Sequence, residues 1–167
     1  MARKVFYSFH YLPDGWRAAQ IRNAGVLEGN QPVSDNDWET ITSGGEKAIK
    51  DWIVGQQVGK SCAVVLIGAN TAGRKWINFE IETAWNAGKG IVGVYIHNLR
   101  NSAGDQSSKG SNPFTSFTVC SGAQQLSGIV KAYNPNSTHS KTVYDIITGN
   151  IESWVDEAVA IRRDFKC

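Results

Sequence analysis

Apolar residues fall in this chain in two rhythms, short unbroken runs and stripes at helical spacing, and the two alternate along its length. Val5-Phe6-Tyr7-Ser8-Phe9 predicts a first buried strand ending near Phe9, and Pro13-Asp14-Gly15 predicts a turn after it. Over residues 14–23, Trp16, Ala19 and Ile21 interleave with Arg17, Gln20 and Arg22, which predicts a helix with Asp14 as its N-cap. Val26-Leu27 predicts the beginning of a short second strand, and residues 29–37 are polar and turn-like. Ala48, Ile49, Trp52 and Ile53 put an apolar stripe on a helix over residues 46–58. Residues 61–68 are apolar almost throughout, as a central parallel strand covered on both faces must be. A third helix follows and ends near Gly88, and Gly90-Ile91-Val92-Gly93-Val94-Tyr95-Ile96 predicts the next buried strand.

Beyond it, residues 98–122 are rich in Ser, Gly and Asn and predict a long ordered loop. Residues 127–133 predict the last strand. An amphipathic helix beginning at Lys141 or Ile151 and running to Arg163 closes the chain. Strands alternating with helices predict an α/β fold, a flavodoxin-like doubly wound and mainly parallel sheet of five strands with helices on both faces. In such folds ligands bind beyond the carboxyl ends of the strands. Phe9, His10 and Tyr11, residues 68–71 and the start of the third helix are therefore expected around one crevice.

Within that third helix, Arg74-Lys75-Trp76-Ile77-Asn78-Phe79-Glu80-Ile81-Glu82, one carboxylate falls on the wrong side. At roughly 100° per residue, Ile77, Ile81, Ala84 and Trp85 mark the buried arc, and Glu80 projects into it between Trp76 and Ala84. Burying an ionised carboxylate without a partner is expensive, so a residue placed there is either paired or needed for chemistry. Arg74 or a backbone amide is the structural partner to weigh against a chemical role. Trp76 has its own plain explanation in core packing.

Composition narrows the choices. The 167 residues, 41% hydrophobic and 19% charged, suit a single compact domain, residues 1–167, with a core that needs no staples. A net charge of +2 with scattered basic pairs does not supply the cationic stripe of a nucleic-acid binder, and no run approaches the roughly 20 apolar residues of a membrane span. Cys62, Cys120 and Cys167 are odd in number, far apart and without C-x-x-C spacing, which favours a reduced cytosolic setting. His10, His97 and His139 have no metal-ligand spacing. No P-loop, G-x-G-x-x-G or G-x-S-x-G motif is present, and the acidic pair of a receiver domain is missing after the first strand.

Lys4-Val5-Phe6-Tyr7-Ser8-Phe9-His10-Tyr11, Trp16-Arg17, Arg22-Asn23, Val64-Val65-Leu66-Ile67-Gly68 and Arg74 to Ile81 together resemble the TIR-like family that includes the TIR protein of bacterial Thoeris antiphage systems. The likeness runs over roughly residues 3–97. Trp76-x-x-x-Glu80-Ile81 is similar to the helix that carries the required glutamate of NAD-cleaving TIR domains.

This resemblance implies an enzyme that cleaves NAD+ to nicotinamide and makes an ADP-ribose-derived signal, of the cyclic ADP-ribose type, which switches on a separate effector. It implies Glu80 as the catalytic residue, with Ser8, Phe9, His10, Asp37, Trp38 and Trp76 around the substrate. NAD+ is then a substrate, with no cofactor and no metal. It also implies self-association and a phage-derived trigger, while the cysteines, charge and hydropathy predict a cytoplasmic location with no nucleic-acid or membrane partner. The chain lacks the Arg-Asp-x-x-Pro-Gly loop of receptor-adaptor TIR domains, which points to the bacterial branch. Two other readings compete: a non-enzymatic nucleotide-sensing or assembly module in which Glu80 is only structural, and a nucleoside deoxyribosyltransferase-like enzyme.

Overall fold

The fold is taken from a computed structural model that describes residues 3–29 and 40–167. Five parallel strands form one sheet: β1 (Lys4–Ser8), β2 (Glu28–Gly29), β3 (Cys62–Ile67), β4 (Gly90–Tyr95) and β7 (Lys131–Tyr133), in the order β2-β1-β3-β4-β7. A two-stranded antiparallel hairpin, β5 (Thr118–Val119) and β6 (Gln124–Gln125), stands apart from it. Four α-helices lie wholly within the described residues: α1 (Tyr11–Asn23), α2 (Gly45–Gln57), α3 (Lys75–Asn86) and α4 (Ser140–Asp164). The flavodoxin-like order expected from the alternating pattern is the order found.

Period-two alternation in the central strands explains why they read as unbroken apolar runs. Cys62, Val64 and Leu66 face α1 and α4, where Ala18, Ile21, Val143, Ile147, Ile151 and Val155 complete one core. Ala63, Val65 and Ile67 face the other way, onto Ile77, Ile81, Ala84 and Trp85 of α3 and onto Phe114, Leu126 and Val130. Each residue of β3 is therefore buried on whichever face it points to, which no half-exposed strand requires. β1 splits in the same way: Val5 and Tyr7 join the α1/α4 core, which leaves Ser8 on the α3 side, in register with Val65.

Several local expectations are corrected. α1 begins at Tyr11, with His10 at the N-cap, so Asp14 lies inside the first turn and not at its boundary. Asp14 is buried and salt-bridged to Arg17 at 2.9 Å, so the inner face of α1 is Asp14, Arg17, Ala18 and Ile21, while Trp16 is 59% exposed. The second strand forms at Glu28–Gly29, beyond Val26-Leu27, because pairing with Lys4 and Val5 of β1 sets its position. The last strand is shortened to Lys131–Tyr133, since residues 126–128 coil into a 3-10 turn. The long loop carries a 3-10 turn at Pro113–Ser116 and the β5 strand.

Cys120 and Cys167 are joined in a disulfide with Cα atoms 5.4 Å apart, which corrects the reading of the cysteines as those of a wholly reduced chain. Their separation of 47 residues carries no pairing signal. The segment after α4 brings them together: Phe165 packs on Trp85 with ring centres 5.2 Å apart, and Arg162, in the last turn of α4, donates to the Trp85 carbonyl at 3.0 Å. Among the described residues no helix is long and apolar enough to cross a membrane.

Candidate active site

The misfit carboxylate of α3 meets the end of β1. Ser8, 1% exposed, donates its hydroxyl hydrogen to Oε2 of Glu80. The register explains the meeting: Ser8 is the last residue of β1, its side chain takes the α3 face, and Glu80 lies on the arc that α3 turns toward the sheet. Arg74, the structural partner weighed for Glu80, is exposed at the N-cap of α3, and the polar partner supplied is the Ser8 hydroxyl.

Glu80 as a residue is half-buried, but the density of protein around its carboxyl group is that of an interior site. Burial pushes its pKa from 4.5 up to about 8, and the Ser8 hydrogen bond pulls the other way without cancelling it. A carboxyl group with, among the described residues, one neutral donor and no cation beside it suits a site where positive charge arrives later with a ligand.

The backbone under Glu80 is held from two directions. Its carbonyl accepts a hydrogen bond from Nε2 of Gln57 at 3.0 Å and another from the Thr83 hydroxyl at 3.2 Å. Gln57, the last residue of α2, is 3% exposed. Beside this seam, the Lys75 ammonium ion-pairs with Glu46 of α2 and lies 5.0 Å above the Trp76 ring. Trp76 is half-buried and meets Phe79 edge-on at 6.0 Å.

His10 follows β1 and caps α1 without a side-chain cap bond. Its Nδ1 is enclosed and has no hydrogen-bond partner among the described residues. Burial and the charge of Arg74 hold its pKa below the ordinary value, opposed by Asp14, so His10 stands between the starts of α1 and α3. Phe9 packs with the α1/α4 core, on the sheet face opposite Glu80, with its ring 6.3 Å from Tyr11. Asp37 and Trp38 lie outside the described residues. The structure thus brings Ser8 and Glu80 into contact, sets His10 at the end of the same strand, and turns Phe9 away.

A strap crosses the other side of the strand ends. Arg17 donates to the carbonyls of Leu99 at 2.8 Å and Asp105 at 2.9 Å while holding Asp14. Gly110 passes so close to β3 that a Cβ there would lie 2.1 Å from the Gly68 carbonyl oxygen. Gly68 in turn leaves room for Asp14, whose Oδ2 would be 2.0 Å from a Cβ. Residues 98–110 therefore lie over the carboxyl ends of β3 and β4, and Glu80 stands beside β1. Among the described residues, no group of three or more His, Cys, Asp or Glu is placed to hold a metal.

Gln57 is not among the residues singled out in the sequence, and Asp14 and Arg17 are read there separately, as an N-cap and a polar helix position, not as a buried ion pair. Both carried a signal there: Gln57 continues the Ile49/Ile53 stripe at four-residue spacing, and Asp14 and Arg17 are three apart on one helix face.

A five-stranded parallel sheet in this order, with helices on both faces, is consistent with a TIR-like α/β domain. The family model described as Thoeris protein ThsB, TIR-like domain, matches residues 6–101, more than half of the chain, and the chain belongs to that family. It is also 34% identical over 119 residues to the Bacillus cereus (strain MSX-D12) protein named "Putative cyclic ADP-D-ribose synthase ThsB1". That likeness takes in 68% of this chain and 62% of the relative, so the chain spans less than two thirds of the relative's length.

Proposed function

We propose that this chain is an antiphage-defence enzyme that cleaves NAD+ to nicotinamide and turns the ADP-ribose portion into a signal, of the cyclic ADP-ribose type, for a separate effector. The observation that carries the reading is the Glu80 carboxyl held by Ser8 in an interior setting at the end of β1, on a helix that resembles the one carrying the required glutamate of NAD-cleaving TIR domains. The name of the Bacillus cereus relative supports the product class.

In the proposed reaction the bond between the ribose anomeric carbon and the nicotinamide nitrogen breaks heterolytically. Its electron pair leaves with nicotinamide, which departs neutral, and positive charge spreads over the anomeric carbon and the ring oxygen. Ionised Glu80 lies against that charge and lowers the barrier electrostatically, with the greatest effect where little water intervenes. A nucleophilic atom of the substrate's own adenosine then closes a ring on the anomeric carbon, or water gives ADP-ribose, and a proton is released to solvent. Ring closure depends on holding the two ends of one molecule together and excluding water. Nicotinamide is a good leaving group because it departs uncharged, so the reaction draws on no cofactor or metal. Ser8 orients the carboxylate, and His10 and Trp76 line the substrate's path. Self-association is part of the proposal, as is a phage-derived trigger, in a cytoplasmic setting without nucleic-acid or membrane partners.

Mass spectrometry of products from NAD+ and from free nucleosides, with concentrated wild type and Glu80→Gln, tests this. Nicotinamide and a cyclic nucleotide from NAD+ with wild type alone are expected. Base exchange on nucleosides, with NAD+ untouched, points instead to the deoxyribosyltransferase-like reading.

A further inference from the structure

Two helices of this chain each carry one polar residue on a stripe that is otherwise apolar, and the two misfits meet. On α2 the inward stripe runs Ile49, Ile53, Gln57 at four-residue spacing, 7%, 0% and 3% exposed. On α3 the inward arc is Ile77, Ile81 and Ala84, all buried, and half-buried Glu80 lies within it. Leucine or methionine at position 57 would fill the seam at no desolvation cost, whereas a buried amide is tolerated only with its hydrogen bonds made. The bond it makes is the one to the Glu80 carbonyl. A carbonyl within an α-helix already has its amide acceptor role filled along the helix, so it does not need a second donor for its own sake.

We propose that Gln57 is a positioning residue for Glu80: its side chain fixes the turn of α3 that carries the carboxyl group, so that the group stays against Ser8 and out of water. This deepens the NAD+-cleavage reading and rests on it. Gln57 touches no reacting atom. It acts by pinning the backbone one bond away from the Glu80 Cα, at the end of α2, while the Thr83 hydroxyl holds the same carbonyl from within α3. Rotating this turn by a small angle moves the carboxyl oxygens by an ångström or so, the scale at which misplacement costs about 100-fold in rate. It also admits water to a group whose titration is governed by burial.

The test is Gln57→Met, which keeps the volume and the apolar seam but removes the donor. Folding is checked by circular dichroism, and kcat, KM and the pH profile of nicotinamide release are measured on the folded fraction. Glu80 titration is followed by carboxyl carbon NMR in both proteins. The expected result is a fall of about 10- to 100-fold in kcat with KM changed little, together with a Glu80 midpoint moved toward the ordinary carboxylate value. A lower melting temperature with kcat and the Glu80 midpoint unchanged overturns the proposal, because a purely structural contact gives that pattern. Wild type that releases no nicotinamide sinks the proposed function, yet the NMR midpoint still decides the positioning claim: moved supports it, unmoved overturns it. If Gln57→Met does not fold, Gln57→Glu takes its place. Its neutral acid still donates to the carbonyl, so activity relative to wild type at equal pH is expected to be highest at the acid end, and a flat ratio overturns the proposal.

Discussion

Replacing Glu80 by Gln is expected to stabilise the fold at alkaline pH. Burial raises the Glu80 pKa from 4.5 to about 8, so between those values the folded protein holds a proton that the unfolded chain has lost. Stability contributed by this group therefore falls as pH rises through that window, and the full cost is present above about 8. At about 1.4 kcal/mol per unit, the shift corresponds to a cost of up to about 5 kcal/mol for the ionised form. Glu80→Gln keeps the shape and an acceptor for Ser8 but never ionises. It should match wild type near pH 4.5 and exceed it by about 3–5 kcal/mol at pH 9, a rise in melting temperature on the order of 10 °C for a chain of this size. Thermal and urea unfolding of both proteins at half-unit pH steps gives the difference directly. A difference that does not change with pH, or a variant less stable than wild type at pH 9, refutes the reasoning and makes Glu80 a satisfied structural carboxylate. A stabilised but inactive variant is the signature of a group kept for chemistry at the fold's expense.

Three further outcomes are expected. The Ser8 hydroxyl lowers the Glu80 pKa against the effect of burial, so Ser8→Ala should move the acid limb of the kcat/KM profile for nicotinamide release to higher pH by about one to two units; a limb that stays in place contradicts the contact's role. Arg17→Met strands the buried Asp14 carboxylate and frees the Leu99 and Asp105 carbonyls, and should cost about 3–5 kcal/mol in urea unfolding with faster amide exchange in residues 99–110; a loss under about 1 kcal/mol counts against the strap. Dithiothreitol should lower the stability of wild type by about 2–4 kcal/mol through the 47-residue loop closed by Cys120 and Cys167, and leave Cys120→Ser unaffected. Equal melting curves with and without reductant would show that the disulfide contributes nothing.

The sheet was legible because its central strands are buried on both faces, which forces continuous apolar runs, and because α3 is strongly periodic. Glu80 was legible for the same reason, as a polar residue on an apolar arc. Its neighbour Glu82 lies off that arc. The partner of Glu80 is not legible in the residue pattern: Ser8 enters only through the family resemblance, as one of several residues around the substrate, and the register of β1 against β3 is what turns it toward α3. Gln57 breaks a stripe as plainly as Glu80 does, but at the last residue of α2 a polar side chain looks like an ordinary helix end. The start of α1 was misplaced because Pro13-Asp14-Gly15 has turn chemistry in isolation, whereas the tertiary pairing of Asp14 with Arg17 draws that segment into the helix. Phe9 follows the strand and on that ground is expected at the crevice, but the alternation of side chains along β1 sends it to the opposite core. The disulfide depends on where a chain segment finishes after α4, which no local pattern encodes.

The central claim is that the Glu80 carboxylate drives nicotinamide loss from NAD+. The most direct measurement is nicotinamide released from NAD+ at pH 8.5 by concentrated wild type and by Glu80→Gln, each shown to be folded by its own melting curve. Release by wild type, reduced at least about 100-fold in the variant, is the predicted result; equal rates from the two folded proteins would contradict the account.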